Sequence, residues 1–380
     1  MVLKEFHKIW NVRTLLLVVI VGGALFYSWV MGQMNLKHLP LFETVEVEVG
    51  TELLKRYGTQ LDASELAQIQ ILYEQAEEKL NEVALSAYPE IRDMGFESYQ
   101  ELEQYCTAQD KTEEELEAFF QTKEYQLYEK MLEDSTVAWE VETCTAYQSI
   151  ITKAQVEKEI EKIDTVSTLP ESVQMNVGFI IQDYSRILLL VTLMLVMPYV
   201  AMENRNRVYP IAAATKTGRR LMLHQIKAML VAVLLLLLIF NIIFYIVYQI
   251  QTPYTRFASC KAIDLWFGWT WSEYLFIRIL MLDVWALAHA MVVFFLGSFC
   301  KTIVGTVVMA LPCWGMGELA GLYFFPHLFT MSYKEYGRFS SGIFGANKYF
   351  PVVTEVFVLG IGMLLLWLLY QRRKREDIVE

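Results

Sequence analysis

The sequence predicts an all-α, polytopic membrane protein: six transmembrane helices, with a helical extracytoplasmic domain between the first and second spans. Three observations carry this expectation. Of 380 residues, 55% are apolar, more than soluble domains usually hold. The excess is gathered in blocks, Thr14 to Gly32, Val177 to Met202, Ala228 to Gln249, Tyr274 to Ser298, Ile303 to Phe325 and Val352 to Tyr370. At roughly 1.5 Å per residue, each is long enough to cross a hydrocarbon core about 30 Å thick. Charge is also segregated: the net charge of -11 combines residues 33–176, with 31 acidic against 11 basic side chains, and a basic remainder.

Residues 1–32 form the entry to the membrane. Leu3, Phe6, Ile9 and Trp10 recur at helical spacing, with Lys4, His7 and Lys8 elsewhere on the turn, as in a short helix lying in the cytoplasmic interface. The first apolar block ends Tyr27-Ser-Trp-Val-Met-Gly-Gln without a small-x-small cleavage site, so it is expected to be a retained anchor.

Residues 33–176 are expected to be helical throughout. Asp62 followed by Glu65 has the form of a capping box, and Leu66, Ile69, Tyr73, Ala76, Leu80 and Val83 then recur at steps of three and four. Thr112 with Glu115 suggests a second start, leading into Leu116, Phe119, Phe120, Leu127 and Met131, and the stripe continues through Val137, Val141, Cys144, Tyr147 and Ile151. Pro89 and Gly95 punctuate between helices. Cys106 and Cys144 share this domain and either form a disulfide or remain two free thiols on apolar faces. The five cysteines lack metal-ligand spacing.

Residues 177–375 form the membrane core. Its orientation follows from Lys and Arg in the short loops. Six spans put both termini on one side, which holds 14 basic residues including Lys4, Lys8, Arg205, Arg207, Arg219, Arg220 and the run Arg372 to Arg375. The opposite short loops hold five, Arg256, Lys261, Lys334, Arg338 and Lys348. Both termini are therefore expected in the cytoplasm and the acidic domain outside, a charge balance that argues against nucleic acid as a partner and is compatible with cations or cationic peptides. The stretch 325–351, rich in Phe, Tyr, Gly and Ser, reads either as a re-entrant segment or as an aromatic belt at the outer interface.

Catalytic fingerprints are missing: no phosphate-binding loop, HExxH, GxSxG or dinucleotide glycine pattern occurs. The expectation is a chain that is not itself an enzyme and has no cofactor of its own. Ionisable residues within spans are costly in lipid and become candidate sites. These are Arg278, Asp283 and His289 in the fourth block and Glu318 in the fifth. Arg278 and Glu318 lie at matched depth below the outer surface and are expected to pair. Asp283 and His289, six residues apart, point about 120° away from one another and do not make one site.

The most informative segment is cytoplasmic, Glu203-Asn-Arg-Asn-Arg-Val-Tyr-Pro-Ile-Ala-Ala-Ala-Thr-Lys-Thr-Gly-Arg-Arg-Leu-Met-Leu-His-Gln-Ile-Lys227. A positive-inside loop accounts for Arg205, Arg207, Arg219 and Arg220 but not for the Ile211-Ala-Ala-Ala run between them. This layout, an amphipathic entry, an external insertion, a Glu-led first cytoplasmic loop and a membrane-dipping segment before the last span, resembles the membrane subunits of type 2 ABC exporters. The likeness is to the subgroup with a large external domain, the sodium-exporter-like permeases. It covers the chain in topology, with its sequence core at residues 203–227; Asn204 to Pro210 depart from the glycine often found soon after the family's Glu. The resemblance implies a coupling helix seated on a separate ABC ATPase subunit that carries ATP and Mg, with contacts from Glu203, Arg205, Arg207, Thr215, Gly218, Arg219 and Arg220. It further implies a second permease copy or homologue, a lipid surround and a bacterial plasma membrane. The rival reading is a non-transporting sensor or scaffold whose external domain binds a ligand. The substrate is not legible in the pattern.

Overall fold

The computed structural model describes residues 1–34, 40–107, 117–161, 165–205, 221–262, 268–300, 302–319 and 350–379. In chain order these form α1 (Val2–Ile9), α2 (Val12–Leu25, continuing through a π-helical turn to Met34), α3 (Leu41–Tyr57), β1 (Gln60–Leu61), α4 (Ala63–Ala87), α5 (Glu90–Asp93), α6 (Tyr99–Thr107), α7 (Lys123–Glu133), α8 (Ser135–Glu161), β2 (Val166–Ser167), α9 (Glu171–Arg205), α10 (Leu221–Gln251), α11 (Trp271–Gly297), α12 (Ile303–Leu319) and α13 (Phe350–Val379). The all-α class holds apart from the two-residue antiparallel ladder that pairs Gln60 with Ser167 and Leu61 with Val166.

The chain divides into two units, residues 1–38, 175–255 and 262–380 in one and 39–174 with 256–261 in the other. The second unit thus gains a short piece, 256–261, from far along the chain, which the apolar blocks do not announce.

In the second unit, the Asp62 side chain accepts hydrogen bonds from Ser64 N and Glu65 N, and the Glu65 carboxylate accepts one from Asp62 N, the capping box that starts α4. One buried cluster gathers Leu80, Ala84, Tyr88, Tyr99, Leu102, Met131 and Val137, and another gathers Val45, Leu53, Leu61, Ile69 and Ile150. The apolar seam read along residues 116–151 is not one helix. α7 begins where the Thr122 side chain caps Tyr125 N, and the chain breaks at Asp134, whose carboxylate accepts from Thr136 N and from the Tyr88 hydroxyl. The expected start at Thr112 and Glu115 lies outside the described residues. Cys106 and Cys144 are not joined by a disulfide, and both are buried in the first cluster. Burial, with the charges of Glu77, Glu140 and Glu103, pushes the Cys144 thiol up to about 12.

In the first unit five helices, Val12–Met34, Glu171–Glu203, Leu221–Gln251, Trp271–Gly297 and Glu355–Arg373, are long and apolar enough to cross a membrane, as in a multi-pass membrane protein. The fifth apolar block gives α12, 17 residues in its described part and so about 26 Å long; residues 320–349, including the 325–351 segment up to its last two residues, lie outside the description. α2 packs closely on α9 and α10 at Gly22. A Cβ on Gly22 would meet Val191 Cγ1 at 2.7 Å and Phe240 Cζ at 2.9 Å. α11 and α13 run parallel, because Gly362 abuts Met291 and Ala288 while the Arg372 guanidinium, further toward the C-terminus of α13, lies 4.8 Å from the ring of Phe299, just past the C-terminal end of α11.

Two outcomes follow for the second unit. Met131 is fully buried and its neighbour Leu132 is 40% exposed, so Met131→Ala is expected to cost about 2–5 kcal/mol and Leu132→Ala under about 1 kcal/mol in thermal unfolding followed by circular dichroism. Cys106 and Cys144 are expected to resist maleimide in the native protein near pH 8 and to react after denaturation, because both are buried and the Cys144 thiol, held this far above its ordinary value, supplies almost no thiolate. Rapid native labelling of Cys144 contradicts the burial.

Candidate functional site

The first polar centre is built from three helices of the membrane unit. On α1, Glu5 and Lys8 are one turn apart, so both can lie on the face that buries Ile9 while Leu3 stays exposed. Lys8 Nζ donates to Glu5 Oε1 at 2.9 Å and to Glu203 Oε1, near the end of α9, also at 2.9 Å. The other Glu203 oxygen accepts from Gln225 Nε2 of α10 at 2.8 Å. One turn before Glu203 on α9, the Tyr199 hydroxyl donates to Glu5 Oε2 at 2.8 Å. The circuit closes on itself across α1, α9 and α10.

Glu5 is only 5% exposed, and a buried carboxylate is tolerated only when paired and hydrogen-bonded. Lys8 and Tyr199 meet that need. Burial alone would lower the Lys8 ammonium, but the hydrogen bonds and charges of Glu203 and Glu5 outweigh it and hold Lys8 above its ordinary value of 10.5. Its contribution to stability is therefore complete below that value and lost only as pH rises through the higher folded value. The end of α1 is fixed as well: Trp10 Nε1 donates to the Ala232 carbonyl, and Asn11 caps α2 by accepting from Thr14 N. A small pocket opens beside Glu203 and Gln225 and is bounded by Phe294, Ser298 and Arg373.

Of the residues read as coupling contacts, Glu203 is placed. Arg205 ends α9 with its side chain outside the described residues, and Arg207, Thr215, Gly218, Arg219 and Arg220 lie outside them altogether.

The second centre is intramembrane. Asp283 Oδ2 on α11 accepts from Asn241 Nδ2 on α10 at 2.7 Å, and Asn241 Oδ1 accepts from the Tyr184 hydroxyl on α9 at 2.6 Å. Three spans are tied by one amide. Nearby in sequence but in a separate contact, Asp183 accepts from Arg186 Nη1 at 2.6 Å and from Gln33 Nε2 at 2.7 Å, which ties the end of the first span to α9. Arg278 is fully buried with its guanidinium 5.6 Å from the Tyr274 ring. Glu318 falls within α12, but its side chain lies outside the described residues, and the Arg278 pairing with it. His289 is 8% exposed, and no hydrogen bond joins it to Asp283 among the described residues.

Sequence reasoning singled out Glu203 and Asp283 without their partners Glu5, Tyr199 and Gln225 or Asn241 and Tyr184. A signal existed for two of them: Asn241 is the one amide in the otherwise apolar run from Ala228 to Val247, and Glu5 sits four residues from Ile9 on an amphipathic turn. Glu355, 7% exposed within the last span, was missed outright. Among the described residues no group of three or more His, Cys, Asp or Glu is arranged to hold a metal ion. Both centres bind helices to helices. No protein-family model, curated protein or solved structure matches the chain.

The Lys8 and Glu203 contact is expected to be cooperative. In a double-mutant cycle with Lys8→Met and Glu203→Gln, thermal unfolding in detergent should give a coupling energy of roughly 0.5–3 kcal/mol. Additive effects would show that the bond carries no stability.

Proposed function

We propose that the chain is the permease subunit of an ATP-driven ABC exporter in a bacterial plasma membrane. It crosses the bilayer six times, with α12 and the residues after it as the fifth span. Both termini are cytoplasmic and the acidic unit is extracytoplasmic. Two permease copies or homologues form the pathway, and ATP and Mg act on separate ATPase subunits.

The observation that supports this reading best is the setting of Glu203. It stands one turn or less from the end of α9, just before residues 206–220, and is bonded to α1 through Lys8 and to α10 through Gln225, so that 203–205 and 221–227 of the expected loop belong to the helices flanking it. A loop pushed by an ATPase transmits work only if its base is rigidly joined to the spans. Here displacement at Glu203 is shared by three helices at once. The Tyr184, Asn241 and Asp283 connection then carries motion of α9 into α10 and α11 deeper in the membrane. Arg205, Arg207, Thr215, Gly218, Arg219 and Arg220 supply the contact surface of the loop. The sensor reading draws on the second unit, which has its own buried core and a strongly acidic surface.

The two separate experimentally. Purified from its native membrane, the full chain is expected to bring with it a soluble ATPase bearing a phosphate-binding loop. Arg219→Ala combined with Arg220→Ala should uncouple ATP hydrolysis from substrate movement while the protein stays inserted with unchanged topology. Absence of any ATPase, together with unchanged activity in the loop variant, overturns the permease reading and favours the sensor.

A further inference from the structure

α13 turns a narrow face inward. Val352, Val353, Val356 and Phe357 are each at least half exposed, whereas Glu355 among them is 7% exposed. Gly362, Leu366 and Leu369 are buried further along. Glu355, Gly362, Leu366 and Leu369 follow one another at seven, four and three residues, the spacing of one helix face. Gly362 shows what that face meets: a Cβ there would lie 3.1 Å from Met291 Cβ and 3.4 Å from the Ala288 carbonyl oxygen of α11. The two helices run parallel, so two turns back along α13 matches two turns back along α11. Glu355 therefore stands at the height of Met281 to Val284, near the middle of Trp271–Gly297.

A carboxylate at that depth needs a cation or hydrogen-bond donors. Among the described residues Glu355 receives neither: its buried Oε2 accepts no hydrogen bond, and it joins no ion pair. The ionisable groups of the helices around it are engaged or distant. On α11, Asp283 is bonded to Asn241 of α10, the Arg278 guanidinium lies 5.6 Å from the Tyr274 ring, and His289 follows roughly 8–12 Å further along the axis. On α10, which also packs on α13, the Tyr248 hydroxyl accepts from Trp271 and Tyr245 is 61% exposed. His224 and Lys227 lie about four turns or more before Asn241, and the Glu318 side chain of α12 is outside the described residues.

We propose that Glu355 binds a proton inside the membrane unit, standing as the neutral acid while α13 rests on α11. A metal ion is the poorer occupant. It takes several oxygen ligands, and among the described residues no group of three or more His, Cys, Asp or Glu is arranged to hold one. A proton needs one oxygen. Its loss would leave a bare charge between two apolar faces, so proton binding and the contact of α13 with α11 are linked. The proposal draws on the place of α13 among the membrane helices and not on the transport reading, so either can fail alone.

The test uses the full chain in lipid nanodiscs at pH 7. Infrared difference spectra between wild type and Glu355→Gln are expected to show loss of a carboxylic acid carbonyl band and no loss of a carboxylate band. Glu355→Gln keeps the shape of the neutral acid and should shift Tm by less than about 2 °C. Dicyclohexylcarbodiimide, which dissolves in lipid, should modify Glu355 in the wild type, since the neighbouring Val356 and Phe357 face outward. The acid O–H adds across one C=N bond and the acyl group then moves to nitrogen, so the peptide gains the whole mass of the reagent. A water-soluble carbodiimide should leave Glu355 unmodified. Loss of a carboxylate band in the variant, with a larger fall in Tm, overturns the proposal by showing an ionised and paired group. So does modification by the water-soluble reagent, or none by the lipid-soluble one. The labelling arm needs only the wild type and stands if the variant fails to fold.

Discussion

One ammonium shared between two carboxylates pins α1 to the end of α9, and the Gln225 amide adds α10. Glu5 is buried and would be intolerable alone; Glu203 stands near the end of α9. Lys8 satisfies both, at 2.9 Å each. Because the pairing joins residues nearly two hundred positions apart, α1 is more than an amphipathic tail lying against lipid. Its apolar side faces two ways: Ile9 is buried against the protein and Leu3 is 68% exposed, so the helix is clamped by charge and flanked by apolar contact. The same logic recurs deeper, where an amide and not a charge does the joining, at Asn241 between Tyr184 and Asp283. Polar groups in lipid are expensive, and those of the second centre lie in contact with one another.

The two units solve different problems with the same secondary structure. In the membrane unit, side chains small enough for close approach, such as Gly22 against Val191 and Phe240, let helices pack without a hydrophobic driving force between them. In the acidic unit, burial of Tyr99, Met131 and Ile91 supplies the driving force that water makes available. The acidic side chains there are in large excess over basic ones, and their mutual repulsion opposes compaction. The aromatic clusters offset it.

Much of this was legible where the signal is local. Apolar length pointed to six spans, and five helices among the described residues are long and apolar enough to cross a membrane; the Asp62 and Glu65 cap lies where spacing placed it, because a capping box needs only four consecutive residues. Local signals also mislead for the same reason. The stripe from Leu116 to Ile151 keeps helical period on both sides of Asp134, so nothing in its spacing reveals the break; at the break the Asp134 carboxylate accepts from Thr136 N and from the Tyr88 hydroxyl, which is 46 residues away. The candidate site was half visible. Glu203 and Asp283 stand out as charges at or in apolar helices, whereas Lys8, Gln225, Asn241 and Tyr184 become meaningful only once the helices are packed. Periodicity contains no such long-range information.

The account depends on the Lys8 and Glu203 clamp facing the compartment that holds ATP, with the acidic unit on the other side and an even number of spans. Cysteine labelling of intact cells tests this most directly, with Lys4→Cys, Thr136→Cys and Glu380→Cys each placed in a cysteine-free chain and exposed to a membrane-impermeant maleimide. Thr136→Cys is expected to label in intact cells, and Lys4→Cys and Glu380→Cys only after permeabilisation. Labelling of the two terminal positions from opposite sides would contradict the six-span arrangement, and labelling of Lys4→Cys from outside would place the clamp where no ATPase could reach it.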